Sequence, residues 1–408
     1  MFDRFKLETF SSLRHRDFRY LWIGTSMMSG GQWIQQVTLN WLMYEMTNSA
    51  VLLGLLNGVR AFPFLISSPI AGVAADRMDR RKLMVITQYF LMVMAFLMGI
   101  LVASGRLEVW HLLVVTFISG LAWGFSEPVR LSMVPDLVPR DELTRAIALN
   151  SVAFNATKVL GPALGGTLIA LFGPAGNFFV QGVAYFGVLL TLYSIQFPAT
   201  PNEARRSSAF ANLKEGLTYV GSTPTVLALL GGDLVLRVFV VPYMALMPIF
   251  QKDVFHVGPE GLGMLVAAAG FGAVLGVLTL ASAANHLPRK GLVLIWGEIV
   301  LGIFLVLFSF VTSFPLALIL LVGVGYWQIV SMVMANTLIQ IIVPDALRGR
   351  VIGLYMLDRG LIPAGSLLSG LTAHFLGAPA TVGIMGVFVV LLALGLGYGT
   401  PLVRKIEA

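Results

Sequence analysis

The chain has 408 residues, of which 57% are hydrophobic and 12% are charged. Soluble domains carry about 25% charged residues, so this composition excludes an ordinary soluble protein and predicts a chain that crosses a membrane repeatedly. The absence of cysteine excludes disulfide bonds and thiolate metal sites, and the five histidines are scattered singly, so we expect no metal centre and no cofactor. A net charge of +7 is typical of basic residues gathered beside a membrane, and no nucleic-acid partner is expected.

Apolar runs long enough to cross the hydrocarbon core, about twenty residues each, recur along the whole chain. They predict twelve transmembrane helices, at residues 18–44, 50–74, 83–104, 108–130, 146–171, 176–197, 225–250, 260–284, 291–311, 314–336, 349–376 and 379–403. The N-terminal tail lacks the short apolar segment of a cleavable signal peptide, so the first span is expected to direct insertion.

The distribution of Lys and Arg predicts the orientation of these spans. Of the 27 basic residues, 21 fall in the two tails and in every second break, whereas the other breaks hold only Arg106 and Lys252. Basic residues accumulate on the cytoplasmic side of a membrane. We therefore predict a multi-pass protein of the cell (plasma or inner) membrane, with the lipid bilayer as its partner and both termini in the cytoplasm.

The longest polar break, residues 198–224, divides the spans into six and six. It predicts an N-terminal six-helix bundle at 1–197, a cytoplasmic linker at 198–224 and a C-terminal six-helix bundle at 225–408. Within the linker, the stretch from about Ala209 to Val220 forms either a short helix on the membrane surface or a plain solvated connection.

The two halves repeat in sequence. Residues 138–149 match residues 343–354 without a gap at a constant offset of 205, which also aligns Gly165 with Gly370. The fold class predicted is therefore an all-α polytopic membrane protein with two pseudo-symmetric six-helix halves. This organisation is typical of a transporter that binds its substrate between the repeats.

The break between the second and third predicted spans carries a dense charge cluster from Gly72 to Lys82. Its spacing resembles the loop signature of the major facilitator superfamily of transporters, with Asp79 where the commonest form has glycine. Together with the segment Ser12–Arg19, it is similar to the superfamily's branch of exporters for siderophores, macrolides and other drug-like molecules. The residues that match the signature are Gly72, Asp76, Arg77, Arg80 and Arg81.

The resemblance implies that this cluster is a conformational latch on the cytoplasmic side. Asp76 would hold the N-terminal end of a helix in the other half, where a carboxylate is favoured by about 0.3–1 kcal/mol. Arg80 and Arg81 would hold acidic or carbonyl groups. The alternative is that the cluster only anchors the topology.

The fifth predicted span contains a motif that resembles the Gly-Pro signature of antiporters in the superfamily. The motif consists of Gly161, Pro162, Gly165 and Gly166. Two of its glycines are spaced by four, as are Gly272 and Gly276 in the eighth span, and small residues at that spacing let helices approach closely. The resemblance implies that these helices face each other across the halves and form a sliding seam. Helix packing alone is the alternative.

Ionisable residues inside spans are candidates for a substrate or proton pathway, because a charge costs about 2.5 kcal/mol or more at a helix centre. Asp233 and Arg237 are four apart on one helical face and form either a structural salt bridge or a proton and substrate switch. Arg60 and Lys158 each require an acidic partner in a wet cavity or an anionic substrate group. Glu298 lies about two turns from the cytoplasmic end of the ninth span, so snorkelling or pairing with a loop arginine is its alternative. It is the weakest candidate, because the ninth span is peripheral in the fold that the chain resembles.

Two further acids lie near the predicted cytoplasmic ends of their spans. These are Glu127, one turn after Trp123, and Asp358, and the alternative for each is snorkelling or pairing with loop arginines. Polar side chains at helical spacing in the first span predict a cavity wall or core hydrogen bonds. This stripe consists of Ser29, Gln32, Gln36 and Asn40. The tenth span adds Tyr326 and Gln328, and such aromatic and amide walls suit a bulky amphiphile.

The sequence contains no phosphate-binding loop, so an ion gradient rather than ATP is the expected energy source. The function predicted is proton-coupled export of an amphiphilic small molecule of the drug, macrolide or siderophore class by alternating access. The chain is expected to act as a monomer and not as an enzyme. The alternatives are a transporter that takes up or flips a lysolipid or other amphiphile, and a membrane sensor that binds without translocating.

Overall fold

The computed structural model describes residues 11–196, 209–283, 289–344, 347, 350–352, 354–355 and 361–399. Every regular element in these ranges is a helix, which confirms the all-α prediction. The helices before the linker are α1 (Arg16–Thr47), α2 (Ala50–Arg77), α3 (Arg80–Ala103), α4 (Val109–Met133) and α5 (Leu143–Ser194). Those that follow are α6 (Ala209–Ser222), α7 (Pro224–Phe239), α8 (Pro259–Ala283), α9 (Lys290–Ser309), α10 (Phe314–Ile342), α11 (Ile362–Leu376) and α12 (Ala378–Gly399).

Eight helical stretches in the described ranges are long and apolar enough to cross a membrane. One of them is α5, whose 52 residues contain both the fifth and the sixth predicted spans. The helix is interrupted at Gly173, which adopts φ 69° and is followed by Pro174. A positive φ is accessible to glycine without the penalty that a Cβ would bring, so the chain turns here between two spans. The total of twelve spans stays a prediction.

The charged break between the second and third predicted spans is much shorter than expected. Instead of the eight residues 75–82 that separate the predicted spans, only Met78 and Asp79 lie outside helices, because α2 continues to Arg77. The Asp79 carboxylate accepts hydrogen bonds from the backbone N–H groups of the first turn of α3, at 2.9 and 3.3 Å. An aspartate at this position satisfies amides that have no partner within the helix, which explains how a residue other than glycine fits here.

The seventh predicted span, residues 225–250, is not one continuous helix. The helix α7 ends at Phe239, and a 3₁₀ segment at Val241–Leu246 and a π-helical turn at Phe250–Val254 follow it. Pro242 has no N–H group to continue the α-helical hydrogen bonds. A discontinuous helix with unwound backbone is a recurrent feature of the sites of secondary transporters.

The linker contains the short helix that was one of its two predicted forms. The helix α6 spans Ala209–Ser222, and its Glu215 forms a salt bridge with Arg350. Gly216 faces the backbone of Arg350 and the side chain of Leu354, with 3.1 Å between a Cβ built at Gly216 and Leu354 Cδ1. The helix is therefore packed against protein, and its position on the membrane surface stays a prediction.

The chain forms two compact units. Unit 1 comprises Met1–Thr47, Val59–Ala204 and Gly258–Ala267, and unit 2 comprises Asn48–Gly58, Arg205–Val257 and Ala268–Ala408. The first turns of α2 therefore belong to unit 2 and the first turns of α8 to unit 1. The core of unit 1 is built around fully buried side chains such as Phe18, Met84, Val129 and Tyr185. The core of unit 2 contains Val226, Leu229, Leu338 and Val351. The division into bundles at 1–197 and 225–408 stays a prediction.

Candidate substrate and coupling sites

The interior of unit 1 holds an arginine stacked on an indole ring. The Arg60 guanidinium carbon lies 4.0 Å from the centroid of the Trp123 ring. The helices α2 and α4 come close enough for this contact because Gly120 has no side chain: a Cβ there would lie 2.3 Å from the Arg60 carbonyl oxygen. Tyr185, fully buried on α5, lies within electrostatic range of the same guanidinium.

The acidic partner that Arg60 was predicted to need is not found in the described part of the chain, where Arg60 forms no salt bridge. The cation instead rests on the electron-rich face of Trp123, an interaction worth about 0.5–2 kcal/mol. An anionic group supplied by a substrate stays a prediction.

Two buried amide side chains that sequence reasoning missed lie on α1 and α5, next to residues of α4 and α5. Gln35 is 2% exposed and donates to Ser119 Oγ at 3.2 Å. Gln181, 0% exposed, lies 3.4 Å from the Tyr185 hydroxyl. Gln35 lies between Gln32 and Gln36 of the predicted stripe. Allowing a wider polar face on α1 would have identified it from the sequence.

The predicted polar stripe of α1 lies in the protein rather than on a lipid-facing surface. Ser29 is buried and accepts a 2.7 Å hydrogen bond from Thr157 of α5. Asn40 is also buried, whereas Gln32 and Gln36 are half-buried. Lys158 is half-buried next to Thr157 and forms no ion pair with the side chains that the structure describes.

A further arginine in unit 1 was counted with the cytoplasmic loop because the fourth span was predicted to end there. The helix α4 continues to Met133, so Arg130 is only 4% exposed. Its Nε and Nη1 groups donate no hydrogen bond to the described residues. The predicted candidate Glu127 is half-buried one turn earlier and acts electrostatically on Arg130. The two residues give the end of α4 an internal charge pair rather than a solvated loop.

The arginines of the loop signature hold acidic and carbonyl groups within unit 1. Arg80 Nη1 donates to Asp136 Oδ2 at 2.7 Å and to the Ser132 carbonyl oxygen at 2.9 Å. Arg81 Nη2 donates to the Tyr193 carbonyl oxygen at 2.8 Å. Both contacts lie inside one unit. The remaining signature residues are Gly72, Asp76 and Arg77. Their backbone belongs to α2, but their side chains lie outside the described part of the structure. The latch therefore stays a prediction.

The N-terminal segment of the predicted exporter signature packs on the loop that follows α4. Glu142, whose side chain is 11% exposed, accepts from Arg14 Nη2 at 3.3 Å and lies 3.2 Å from His15 Nε2. The signature therefore joins the start of α1 to the start of α5.

The glycine seam predicted between the fifth and eighth spans uses other residues than expected. Gly161 and Gly165 face α1: a Cβ at Gly161 would lie 2.6 Å from Trp33 Cβ, and one at Gly165 would lie 3.3 Å from Ile34 Cα. Successive residues of a helix differ by about 100°, so the next residue, Gly166, points to a different neighbour.

The predicted partners of that seam, Gly272 and Gly276, face α10 rather than α5. A Cβ at Gly272 would lie 1.9 Å from the Val322 carbonyl oxygen, and one at Gly276 would lie 2.8 Å from the Tyr326 carbonyl oxygen. The prediction that these glycines face those of the fifth span was therefore wrong, because a GxxxG spacing marks a close helix contact without identifying the neighbour.

The close contact between α5 and α8 is made by Gly166 and Gly263 in unit 1. A Cβ at Gly263 would lie 2.5 Å from the Pro162 carbonyl oxygen, and one at Gly166 would lie 2.5 Å from the Pro259 carbonyl oxygen. Neither helix can carry a larger residue here without moving.

A second contact of the same kind joins α2 and α11 in unit 2. A Cβ at Gly54 would lie 2.4 Å from the Ser366 carbonyl oxygen, and one at Gly370 would lie 2.5 Å from the Ala50 carbonyl oxygen. Gly54 and Gly263 are 209 residues apart, and Gly166 and Gly370 are 204 apart. Both separations lie within four residues of the repeat offset of 205, so the two contacts use closely corresponding positions of the two sequence repeats.

Unit 2 contains the ion pair that the four-residue spacing predicted. Arg237 Nε donates to Asp233 Oδ2 at 2.7 Å, and Arg237 Nη2 donates to the Tyr355 hydroxyl at 3.0 Å. Of the aromatic and amide candidates on α10, Tyr326 is half-buried and accepts a 2.9 Å hydrogen bond from Thr279, and Gln328 is half-buried. The candidate Asp358 lies outside the described residues.

Long apolar helices with a buried ion pair and closely packed glycine contacts are typical of a multi-pass membrane protein. The chain belongs to the MFS_3 family of transmembrane secretion effectors, whose profile matches residues 7–408. This confirms the family predicted from the loop signature and the N-terminal segment.

Two relatives and one solved structure illustrate the similarity. The chain is 26% identical over 394 residues to the staphyloferrin A transporter of Staphylococcus aureus, and the alignment covers 92% of this chain and 94% of that protein. It is 30% identical over 342 residues to the enterobactin exporter EntS of Shigella boydii serotype 4, covering 80% and 78% of the two chains. Its fold matches the crystal structure of a peptide transporter POT in complex with sulfate, with a TM-score of 0.76, 13% identity and coverage of 96% of each chain.

Proposed function

We propose that this chain is a proton-coupled exporter that moves an amphiphilic small molecule with an anionic group out of the cytoplasm by alternating access. The observation that carries the proposal is Arg60, stacked on Trp123 without a salt bridge in the described part of the chain. An arginine within a membrane is costly unless a partner balances its charge. An anionic group on the substrate supplies that partner, and the indole and tyrosine rings contact the apolar part.

The buried amides support a substrate that has polar groups besides its charge. Gln35 and Gln181 each have a side-chain oxygen that accepts no hydrogen bond from a described residue. An unpaired buried acceptor costs about 1–3 kcal/mol, so both oxygens favour a hydroxyl or amide donor brought by a ligand.

The glycine contacts support alternating access. Gly54 with Gly370 and Gly166 with Gly263 bring helix backbones close together without interlocking side chains. Contacts of this kind separate and re-form with little loss of side-chain packing. On the predicted topology both lie toward the outer surface, so they would close that side while the cytoplasmic side is open.

Export and the class of the molecule are supported by the relatives. One is named a staphyloferrin A transporter and another an enterobactin exporter. We therefore expect the molecule to belong to the siderophore or drug-like class.

The test is accumulation of a panel of siderophores and dyes in cells that express the chain, with and without a protonophore. The panel pairs anionic amphiphiles with neutral and cationic ones of similar size. We expect lower accumulation of the anionic members, reversed by the protonophore. Arg60→Gln should reduce their export about tenfold or more, because a charge-assisted hydrogen bond is worth about 1.5–3 kcal/mol.

Arg106→Gln is the matched control, since Arg106 is exposed in a loop. Equal export of anionic and cationic members, or unchanged export by Arg60→Gln, would contradict the proposed substrate class. Movement of lysolipids in the same cells, with no effect on the panel, would instead favour the lipid-flipping alternative.

A further inference from the structure

Unit 2 holds a second buried acid close to the ion pair, and nothing in the family signatures accounts for it. We propose that Glu298 of α9 is a proton-binding site that works together with the Asp233–Arg237 pair. This rests on the proposed function, because coupling to a proton gradient needs a group that gains and loses a proton during the cycle.

The Asp233–Arg237 pair is complete without Glu298. The side chains of Asp233 and Arg237 are 3% and 9% exposed, and their closest oxygen and nitrogen are 2.7 Å apart. The Tyr355 hydroxyl, which accepts from Arg237, also lies 3.4 Å from Asp233 Oδ1. One negative and one positive charge balance, so the pair brings no net charge into the core.

Glu298 has no comparable compensation. It is 1% exposed, and its buried Oε2 accepts no hydrogen bond from any residue in the described ranges. The charged group that acts on it electrostatically is Asp233, which has the same sign. Two neighbouring carboxylates are costly to ionise together in a low-dielectric interior, and Arg237 contacts Asp233 and Tyr355.

Within the described ranges, the helices packed on α9 bring no further positive charge to balance it. The helices α10 and α12 pack on α9, and their titratable side chains are Tyr326 and Tyr398. Tyr326 is hydrogen-bonded to Thr279, away from α9. Lys290 lies at the first turn of α9, two turns from Glu298.

The remaining neighbouring elements add one more cation. The helix α7 contributes the Asp233–Arg237 pair itself. The described helical residues 350–352 and 354–355 contribute Tyr355 and Arg350, and Arg350 pairs with Glu215.

An ionised Glu298 would therefore leave a net negative charge among the described residues of the core, which a low-dielectric interior disfavours. A proton bound to the carboxylate from water removes that charge. When unit 2 rearranges and water reaches the carboxyl group, the charged form is solvated and the proton leaves to the water on that side. The neighbouring ion pair makes binding sensitive to the conformation of α7, because any change that separates Arg237 from Asp233 alters the field at Glu298.

The experiment is infrared difference spectroscopy of the purified full-length chain in lipid nanodiscs, between acidic and alkaline buffers. A protonated buried carboxylic acid gives a carbonyl band that shifts in D₂O. We expect this band in the wild-type chain, its loss in Glu298→Gln and its return at a shifted position in Glu298→Asp. Glu108→Gln is the matched control, since Glu108 is exposed in a loop.

Transport in proteoliposomes provides the second readout. Glu298→Gln imitates the protonated state, so uptake driven by a pH difference should fall about tenfold or more, while exchange of labelled for unlabelled substrate without a gradient continues. Glu298→Asp keeps the carboxyl group and should recover part of the driven transport. If Glu298 had only a structural role, this shorter side chain would not restore transport.

Each outcome decides the proposal. A carbonyl band that persists in Glu298→Gln, or no such band in the wild-type chain, overturns the proton site even if export is demonstrated. Driven transport that Glu298→Gln leaves unchanged also overturns it. If no substrate is found, the band and its loss still establish the proton site, so failure of the exporter assignment is recognised separately.

Discussion

Adding one methyl group at Gly263 should move the chain away from the state in which α5 and α8 touch. The new Cβ would lie 2.5 Å from the Pro162 carbonyl oxygen and 3.1 Å from Gly166 Cα, whereas ordinary contacts begin at 3.4 Å. The helices must therefore separate by about 0.9 Å at this point. Both obstacles are backbone atoms, so no side-chain rotation relieves the clash. Overpacking of this kind costs about 1–3 kcal/mol.

That cost applies only to the arrangement in which the two helices are in contact. A difference of about 1–3 kcal/mol between two conformations changes their ratio roughly 5- to 150-fold. Gly263→Ala should therefore raise the open population by a factor in that range. Gly54→Ala should have a similar effect, because it occupies a closely corresponding position in the other repeat.

The assay uses the absence of native cysteine in this chain. Cysteines introduced at Ser104 and Ser313, both exposed in loops on the predicted outer side, carry spin labels whose separation is measured by pulsed electron resonance. We expect Gly263→Ala to shift the distance distribution toward longer separations. Gly231→Ala is the control, because no heavy atom lies within 4 Å of a Cβ built there. A distribution in Gly263→Ala that matches this control would refute the gating role of the contact.

Three other substitutions test separate parts of the molecule. Asp79→Ala removes the cap of α3 and should lower the free energy of unfolding in detergent by about 0.5–2 kcal/mol, whereas Asp79→Ser should retain most of it; equal melting temperatures for the two variants would contradict this. Trp123→Leu keeps an apolar side chain but removes the ring beneath Arg60, and should weaken binding of an anionic substrate by about 0.5–2 kcal/mol in a titration assay, with unchanged affinity as the refuting result. Asp76→Asn should preserve expression and insertion but slow transport, because it removes the charge that favours a helix N-terminus; normal turnover would remove the latch assignment.

Local sequence signals predicted the contacts that depend on one helix alone. The four-residue spacing of Asp233 and Arg237 places both side chains on one face, and the structure shows their salt bridge. Gly173 and Pro174 fall in the predicted break between two spans, where the chain turns. These features follow from backbone geometry, which is the same whatever the helix packs against.

Contacts between helices were less predictable. Gly161, Gly165 and Gly166 all belong to the predicted motif, yet only Gly166 meets α8 while the other two face α1. Arg130 was assigned to a loop because the end of a helix depends on the residues around it, and α4 continues far enough to bury it. Glu298 was ranked lowest because a peripheral helix was not expected to contribute to the substrate or proton pathway. Its side chain is nevertheless buried in unit 2.

Hydrophobicity over about twenty residues, charge asymmetry and short signatures were enough to identify a helical membrane transporter of the major facilitator class, because they are properties of local stretches of chain. The folded structure was needed to show which side chains meet: Arg60 stacks on Trp123, and Glu298 lies near a completed ion pair. The rotation of each helix about its axis sets these pairings. That rotation depends on the packing of all its neighbours, which a periodic pattern along one helix does not contain.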